Sequence, residues 1–563
     1  MKPVRRTAKV HVLRCSAAAA LLVAMAGFQR PALAATYYVR IDGGTAAQCT
    51  GLVDTPYPGH GRSGGCAWNS PMAALPPTAD NQPNKPHIAG GDTLIIEPGS
   101  YRIGFSAEAR SAYGSTVCDA NYSYDCVPQP VPSGPDPQHP TIIKGASCTA
   151  KPELWGTQGA SHVLSLDGAS NVVLACLELT DHSPCILFYQ PDARQACDRR
   201  WGGDVGTWAS TGLHAQDSGN VTLSDLAIHG FAQSGVNAGR LHDWKVRRVM
   251  IRANGWAGWD GDLGGNDHSS ANSGELTFDR LAVAWNGCAE AYPSDAIINC
   301  WGQNEGGYGD GFAEAWTGGK WVFTRADIHD NTQDGLDLLY NNGTGSTMVV
   351  QSRFSGNAGN QVKISGPSSI LNSIVVGNCM WTTQKAGTRM LGAMQEADDC
   401  RALGSAIEVD FPLSHQLATI AFNTITGQGD GLVDAAQAGS GNKVVLANNV
   451  LDGRHSDKRG DEPTFGYYGG DEHAVPVTWV GNLVHGVRHG QCPGDSICKD
   501  PKLRGPSFAA YDPTLEPGSP AIAAASPQVT VGTDFHGQQR PARPSIGAVE
   551  HSPPSPGQSD RPR

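Results

Sequence analysis

The sequence predicts an all-β chain wound as a parallel β-helix, a solenoid whose stacked coils bury one continuous core. Three observations predict it. First, three pieces of the chain lie under one another without a gap: Tyr308-Gly-Asp-Gly-Phe-Ala-Glu-Ala-Trp316, Thr332-Gln-Asp-Gly-Leu-Asp-Leu-Leu-Tyr340 and Ala358-Gly-Asn-Gln-Val-Lys-Ile-Ser-Gly366, at offsets of 24 and 26 residues. In that register Phe312, Leu336 and Val362 form one column and Ala313, Asp337 and Lys363 the next, the period-two alternation of strands stacked coil over coil. A repeat of this length, built of short strands and turns, signals a solenoid. Second, 70 glycines and 37 prolines in 563 residues, without long helical periodicity beyond the N-terminus, make a turn-rich and strand-rich composition. Third, a rhythm of strand pairs sets in at residue 211. Val221 to Ile228, Trp244 to Ile251, Leu276 to Val283, Trp321 to Ile328, Met348 to Phe354 and Ile370 to Val375 each have the length of one coil's strand pair. Their last residues are 23, 32, 45, 26 and 21 apart, a period of about 22 to 25 residues with insertions at the two long steps.

In chain order, Met1-Lys-Pro-Val-Arg-Arg, the apolar run from Ala17 to Phe28 and Ala32-Leu-Ala34 are the three parts of a secretory signal peptide at 1–34. Cys15 falls inside it. No other segment reaches the roughly 20 apolar residues of a membrane span. Thr36 to Ile41 and Thr93 to Tyr101 are β-runs, and two Pro-rich insertions follow around 104–140 and 180–210. After a further insertion the rhythm returns at Ala421 to Ile425, Leu446 to Val450 and Val480 to Val484, where Asn423, Asn448 and Asn482 recur and suggest a turn-side asparagine stack. Residues from Leu515 to Glu550 have the character of a closing segment, and 551–563, rich in Pro, Ser and charge, that of a disordered tail. Residues 35–550 can thus form a single elongated domain, with its core chemistry in about 211–375, because a solenoid grows along its axis.

Removing the leader takes away Lys2, Arg5, Arg6, Lys9, Arg14 and Arg30 and no acidic residue, moving the formal charge from −12 to −18. That balance argues against a nucleic-acid partner. It leaves an acidic polysaccharide open, since bound cations reverse a local potential. Fourteen of the 15 cysteines remain, in sequence-near pairs 49 with 66, 118 with 126, 185 with 197, 288 with 300, 379 with 400 and 492 with 498, leaving Cys148 to Cys176. An even number in an exported chain, with no C-x-x-C spacing, reads as disulfides that close loop insertions. A secreted monomer is the expectation.

The chemistry is expected in the central columns. Asp310, Asp334 and Asp337 bring three carboxylates onto neighbouring rungs about 4.8 Å apart. Carboxylates that close need a proton, a basic side chain or a cation, and oxygen-only ligands in an exported protein favour Ca2+. Lys363 falls under Asp337, and a lysine beside a cation has its pKa lowered, as a general base requires. The competing structural account is an ion-paired turn, with Lys363 neutralising Asp337 and Asp334 capping the turn at Gly335. An EF-hand loop starting at Asp330 fails at its twelfth position, Asn341. Trp256, Trp259, Trp301 and Trp316 offer sugar-stacking platforms or plain packing, and Glu314 a further ligand or a partner of Lys363.

Gly309-Asp-Gly-Phe312, Gln333-Asp-Gly-Leu-Asp-Leu338 and Asn360-Gln-Val-Lys-Ile-Ser-Gly366 resemble the active-site core of the family 9 polysaccharide lyases, right-handed parallel β-helices that cleave pectate-like polysaccharides with Ca2+ and a lysine base. The resemblance covers about 60 residues and implies Asp310, Asp334 and Asp337 as metal ligands and Lys363 as the catalytic base. Gln333 stands where the family motif has an aspartate, so it brings an amide oxygen without charge. The resemblance implies β-elimination from a uronate. A glycoside hydrolase using Asp334 and Asp337, a C5-epimerase and a non-catalytic calcium-binding surface protein stay open beside it.

Overall fold

The computed structural model describes residues 34–551 apart from 78–84, 106–117, 119–122, 188–196, 198–207, 264–270, 303–308, 315–316, 340–341, 343–344, 378–388, 393–404, 455–463, 471–473 and 489–491. The leader read at 1–34 and the tail read at 551–563 fall outside them, but for one residue each. Described strands stack into three long parallel sheets of thirteen, twelve and ten strands, each drawing successive members from successive coils. One coil shows the plan: His242–Arg247 lies in the first sheet, Met250–Arg252 in the second and Ala257–Asp260 in the third. No described helix is long and apolar enough to cross a membrane.

The rhythm read from the sequence is the register of the second sheet. Ile228 pairs with Ile251, and the column runs on through Val283, Ile328, Phe354 and Val375. The first and second sheets meet at a bend that places one residue per coil in the left-handed region: Asp225, Arg248, Arg280, Arg325, Gln351 and Asn372 all have φ between 49° and 57°. Repeating one sparsely populated conformation down six coils makes the bend a property of the stack rather than of any one residue.

Asparagines do stack inside the turns, but with a different membership. Asn423 donates through Nδ2 to Asn449 Oδ1 (3.1 Å), and Asn449 in turn to Asn482 Oδ1 (3.0 Å). Asn448 instead sits at φ 54° in the left-handed bend and bonds Ser526. The one-residue slip arises because the inward partner of Ile425 is Leu451, not Val450. A second ladder, Asn254, Asn286, Asn331 and Asn357, runs through the turns between the second and third sheets at 2.8 to 2.9 Å. These amides satisfy turn backbone that the interior would otherwise leave unpaired.

The inward column of the third sheet is aromatic at Trp259 and Phe312, which meet Phe278 and Phe323 of the first sheet. Trp259 stacks on Phe312 at 4.9 Å, and Phe278 and Phe323 meet Phe312 edge-on at 5.1 and 5.3 Å. Each of these four side chains is fully buried or nearly so. Because alternate residues face opposite ways, this packed column fixes its outward neighbours Asp260 and Ala313 to within the tolerance of a close-packed core. Among the described residues six disulfides form, at 49–66, 118–126, 148–176, 185–197, 288–300 and 492–498. The pair read at 379 with 400 lies outside the described residues. The closing segment folds back against the left-handed bend: Gln351 Nε2 donates to Asp534 O (2.6 Å) and the buried Arg540 to Asn372 Oδ1 (2.9 Å).

Candidate functional site

The three repeats stack in the register that their alignment predicts. Phe312 pairs with Leu336 and then Val362, while Ala313 pairs with Asp337 and then Lys363. Just before these strands, Asp310, Asp334 and Asn360 form a turn column, joined by Gly311 N–H to Asp334 O and Gly335 N–H to Asn360 O, both 2.9 Å. Each acid of that column also accepts from the coil that follows. Asp310 Oδ1 takes the Asp334 N–H (2.9 Å), and Asp334 Oδ1 takes the Asn360 N–H (2.6 Å). Gly359 permits the second bond, since a Cβ there would lie 2.1 Å from Asp334 Oδ1.

The remaining oxygens gather round the lysine. Lys363 Nζ stands 3.1 Å from Asp337 Oδ2 and 3.3 Å from Asp334 Oδ2, in a setting where only 10 % of its side chain is exposed. Burial alone would lower the Lys363 ammonium, but Asp334, Asp337, Glu408 and Asp310 outweigh it and push it up. The direction is opposite to the lowering that a cation beside the amine would bring. Burial and the neighbouring acids push Asp310 well above the usual carboxylate range and Asp337 up to about 6, with Lys363 opposing. Four carboxyl groups thus surround one ammonium, an oxygen-only donor set that suits a hard cation. Their present spacing serves the lysine instead: no choice of one oxygen from each of Asp310, Asp334 and Asp337 lies mutually within 4.8 Å. Gln333 is fully buried in the turn, its N–H on Gly309 O (3.1 Å) and its carbonyl on Gly359 N–H (2.9 Å), and adds no charge.

The polar column is longer than the repeat alignment reaches. From one end of the third sheet it reads Ser165, His214, Asn237, Asp260, Ala313, Asp337, Lys363, Glu408, Asp434 and Tyr468, each paired with the next. Lys363 is its only lysine or arginine. Glu408 and Asp434 escape the sequence alignment because residues 366–405 separate their coils from the three-fold repeat. A signal was there, in the alternation of Ile407-Glu-Val409 against Val362-Lys-Ile364. Burial, with Asp334, Asp434 and Asp337 against Lys363, pushes Glu408 up to about 7.

Other candidates resolve differently. Glu314 bonds Trp259 Nε1 (3.2 Å) and Asn272 Nδ2 (3.0 Å), so it partners the core and not Lys363. Trp259 and Trp301 are buried, and Trp256 packs against Ile186, Ala289 and Trp301, which makes all three packing residues. Trp316 lies outside the described residues.

Neither a family model nor a curated protein sequence matches the chain. Solved structures similar to it include that of pectate lyase Pel9A, at 14 % identity over 92 % of this chain and 96 % of that one, with a TM-score of 0.41. The complex of XylC with xylose is similar at 11 % identity over 91 % and 98 %, with a TM-score of 0.41. An alginate lyase from Paenibacillus sp. str. FPU-7 is similar at 12 % identity over 69 % and 91 %, with a TM-score of 0.31. All three identities are below a quarter and all three TM-scores below 0.5, so the chain's own residues have to carry the chemistry.

Among the described residues, two other groups of three potential ligands come within 4.8 Å of one another. One is the Cys148–Cys176 disulfide with Asp225, whose sulfurs are already spent. The other, on the second sheet, is His229 with Glu290 and Asp295. Here both imidazole nitrogens face carboxylates, Nδ1 on Glu290 and Nε2 on Glu178 at 3.1 Å, and Arg252 stands 3.6 Å from Glu290. This is a closed charge network that ties the hairpin Cys288–Ala291 and Ala296–Gly302 to the coil beneath. Burial opposes the charged imidazole, but Glu178 and Glu290 prevail and push His229 up to about 9. A histidine raised in the folded state stabilises fully below its unfolded value of about 6.5 and loses that contribution as pH climbs through 9. Chemical denaturation at pH 6 and pH 10 is expected to show a fall on the order of 3 kcal/mol that His229→Gln removes. An equal fall in both proteins would show that His229 is not its source.

Proposed function

We propose that this chain is a secreted, calcium-dependent polysaccharide lyase that cleaves a uronate-containing, pectate-like polymer by β-elimination, with Lys363 as general base. The observation that carries the proposal is the placement of one buried amine, Lys363, against the carboxylates of Asp334 and Asp337 on a continuous outward column. This site gathers four acids round one lysine, an oxygen-rich setting that suits a hard cation. Six disulfides support an oxidising, extracellular destination.

Asp310, Asp334 and Asp337 would hold the ion once their side chains turn from the spacing they take round Lys363, and Gln333 would add a neutral oxygen. Bound there, Ca2+ would neutralise the uronate carboxylate next to C5, making that C–H more acidic, and would cancel the carboxylate field that now keeps Lys363 charged. The chain's residues do the rest. Burial favours the neutral amine once Asp334 and Asp337 no longer pair with it. Lys363 Nζ then takes the C5 proton, and the coil spacing of about 4.8 Å sets successive sugar contacts along the third sheet.

A glycoside hydrolase is the second account, favoured by Glu408, an acid held up to about 7 beside other carboxyl groups. One experiment separates the two. Purified protein is mixed with a panel of uronate polymers, with Ca2+ and with chelator, while the ultraviolet band of the 4,5-unsaturated uronate is followed. Elimination gives a Ca2+-dependent rise. New reducing ends without that band, indifferent to chelator, would exclude elimination in favour of hydrolysis.

A further inference from the structure

β-Elimination needs two proton movements. The C5 proton leaves, and the oxygen expelled from C4 must acquire one, because an alkoxide is a poor leaving group. Lys363 answers only the first. The next rung of the column holds Glu408, paired with Lys363 in parallel register and therefore on the same face about 4.8 Å further along the axis. We propose that Glu408 is the second proton-transfer group of the site, giving its proton to the glycosidic oxygen as the bond from C4 breaks; this rests on the elimination chemistry proposed above.

Three features of its surroundings fit that role. Asn360 Nδ2 donates to Glu408 Oε2 at 2.9 Å and holds the carboxyl in place, while Oε1 takes no hydrogen bond from the described residues. The residue is half-buried, with one oxygen anchored in this way. Asn360 also bridges the two halves of the site, since its own N–H donates to Asp334 Oδ1. Burial and the acids Asp334, Asp434 and Asp337, against Lys363, favour the protonated form of Glu408 near neutrality.

The step balances without a co-reactant. The C5 proton passes to Lys363 Nζ, the C5–H electron pair becomes the C4–C5 double bond, and the electron pair of the C4–O bond goes to the oxygen. That oxygen takes the Glu408 proton and departs as the hydroxyl of the new chain end. Lys363 as ammonium and Glu408 as carboxylate then exchange a proton through water to reset the site.

Leaving-group dependence tests this. Two substrates are compared: the uronate polymer that the wild type cleaves, and a short uronate with a dinitrophenyl ether at C4, whose leaving phenolate needs no proton. Glu408→Gln is expected to lower kcat/KM about 100-fold or more on the polymer and less than about fivefold on the ether. Glu408→Asp keeps an acid and is expected to recover roughly tenfold of the polymer rate. Melting curves check that both variants fold, and if the glutamine variant does not, Glu408→Asp carries the same comparison. Equal losses on both substrates, or an unchanged polymer rate, would overturn the role of Glu408. Absence of the unsaturated product from wild type on both substrates would instead overturn elimination itself.

Discussion

Lys363→Ala is expected to lower formation of the unsaturated product by roughly a thousandfold or more, the loss that removal of a positioned base brings. Alanine alone cannot decide the matter, because it also strips Asp334 and Asp337 of their shared cation. Breaking a buried ion pair from one side costs about 3–5 kcal/mol, and a damaged fold would lower activity too. Lys363→Arg separates the two effects. A guanidinium still reaches both carboxylates and stays charged at any working pH, so it can preserve the ion pair but cannot accept a proton. The expected result is an arginine variant with near wild-type resistance to urea and a loss of turnover as deep as that of alanine. An arginine variant that turns substrate over at more than a few per cent of the wild-type rate would remove Lys363 as base and leave it a structural partner of Asp337.

The arrangement round Lys363 was legible because it depends on period, and period is what a sequence displays. Phe312, Leu336 and Val362 are apolar at matched places in three repeats, so stacking them also stacks Ala313, Asp337 and Lys363 on the other face. The second-sheet column from Ile228 to Val375 followed in the same way, insertions included. What stayed hidden has two physical causes. Long insertions break the visual repeat without breaking the solenoid, which is why Glu408 and Asp434 were missed although they pair in register beyond Lys363. Turn residues have no period-two partner to hold them in place, which is why Asn448 and not Asn449 was aligned with Asn423.

Electrostatics was the other blind spot. The order of residues shows that carboxylates and a lysine share neighbouring rungs, but not which way the lysine's proton affinity moves. That sign is set by the balance between burial and four acids, and among these residues the acids win. The balance turns on Asp334 and Asp337, the two that touch the amine. Any cation that binds them changes the protonation of the base at the same time, so calcium dependence and general-base function are expected to fail together.

Asp334 is where that coupling can be cut. It is 2 % exposed, with one oxygen on the Asn360 N–H and the other on Lys363 Nζ. Asp334→Ala leaves a buried N–H and a buried ammonium each short of an acceptor, at an expected cost of about 3 kcal/mol in urea unfolding. Asp334→Asn keeps an oxygen for Asn360 but turns an amide donor toward Lys363. It is expected to recover more than half of that stability, since the lost backbone bond is restored. Turnover should not follow stability. Both variants are expected to fall about 100-fold or more, because neither supplies the charge that a hard cation and an acidified C5–H require. Measured side by side, unfolding and Ca2+ titrations of activity would show stability split between the two variants and function lost in both. If Asp334→Asn instead kept both the rate and the calcium midpoint of the wild type, Asp334 would be a turn cap and the cation would have to be held elsewhere.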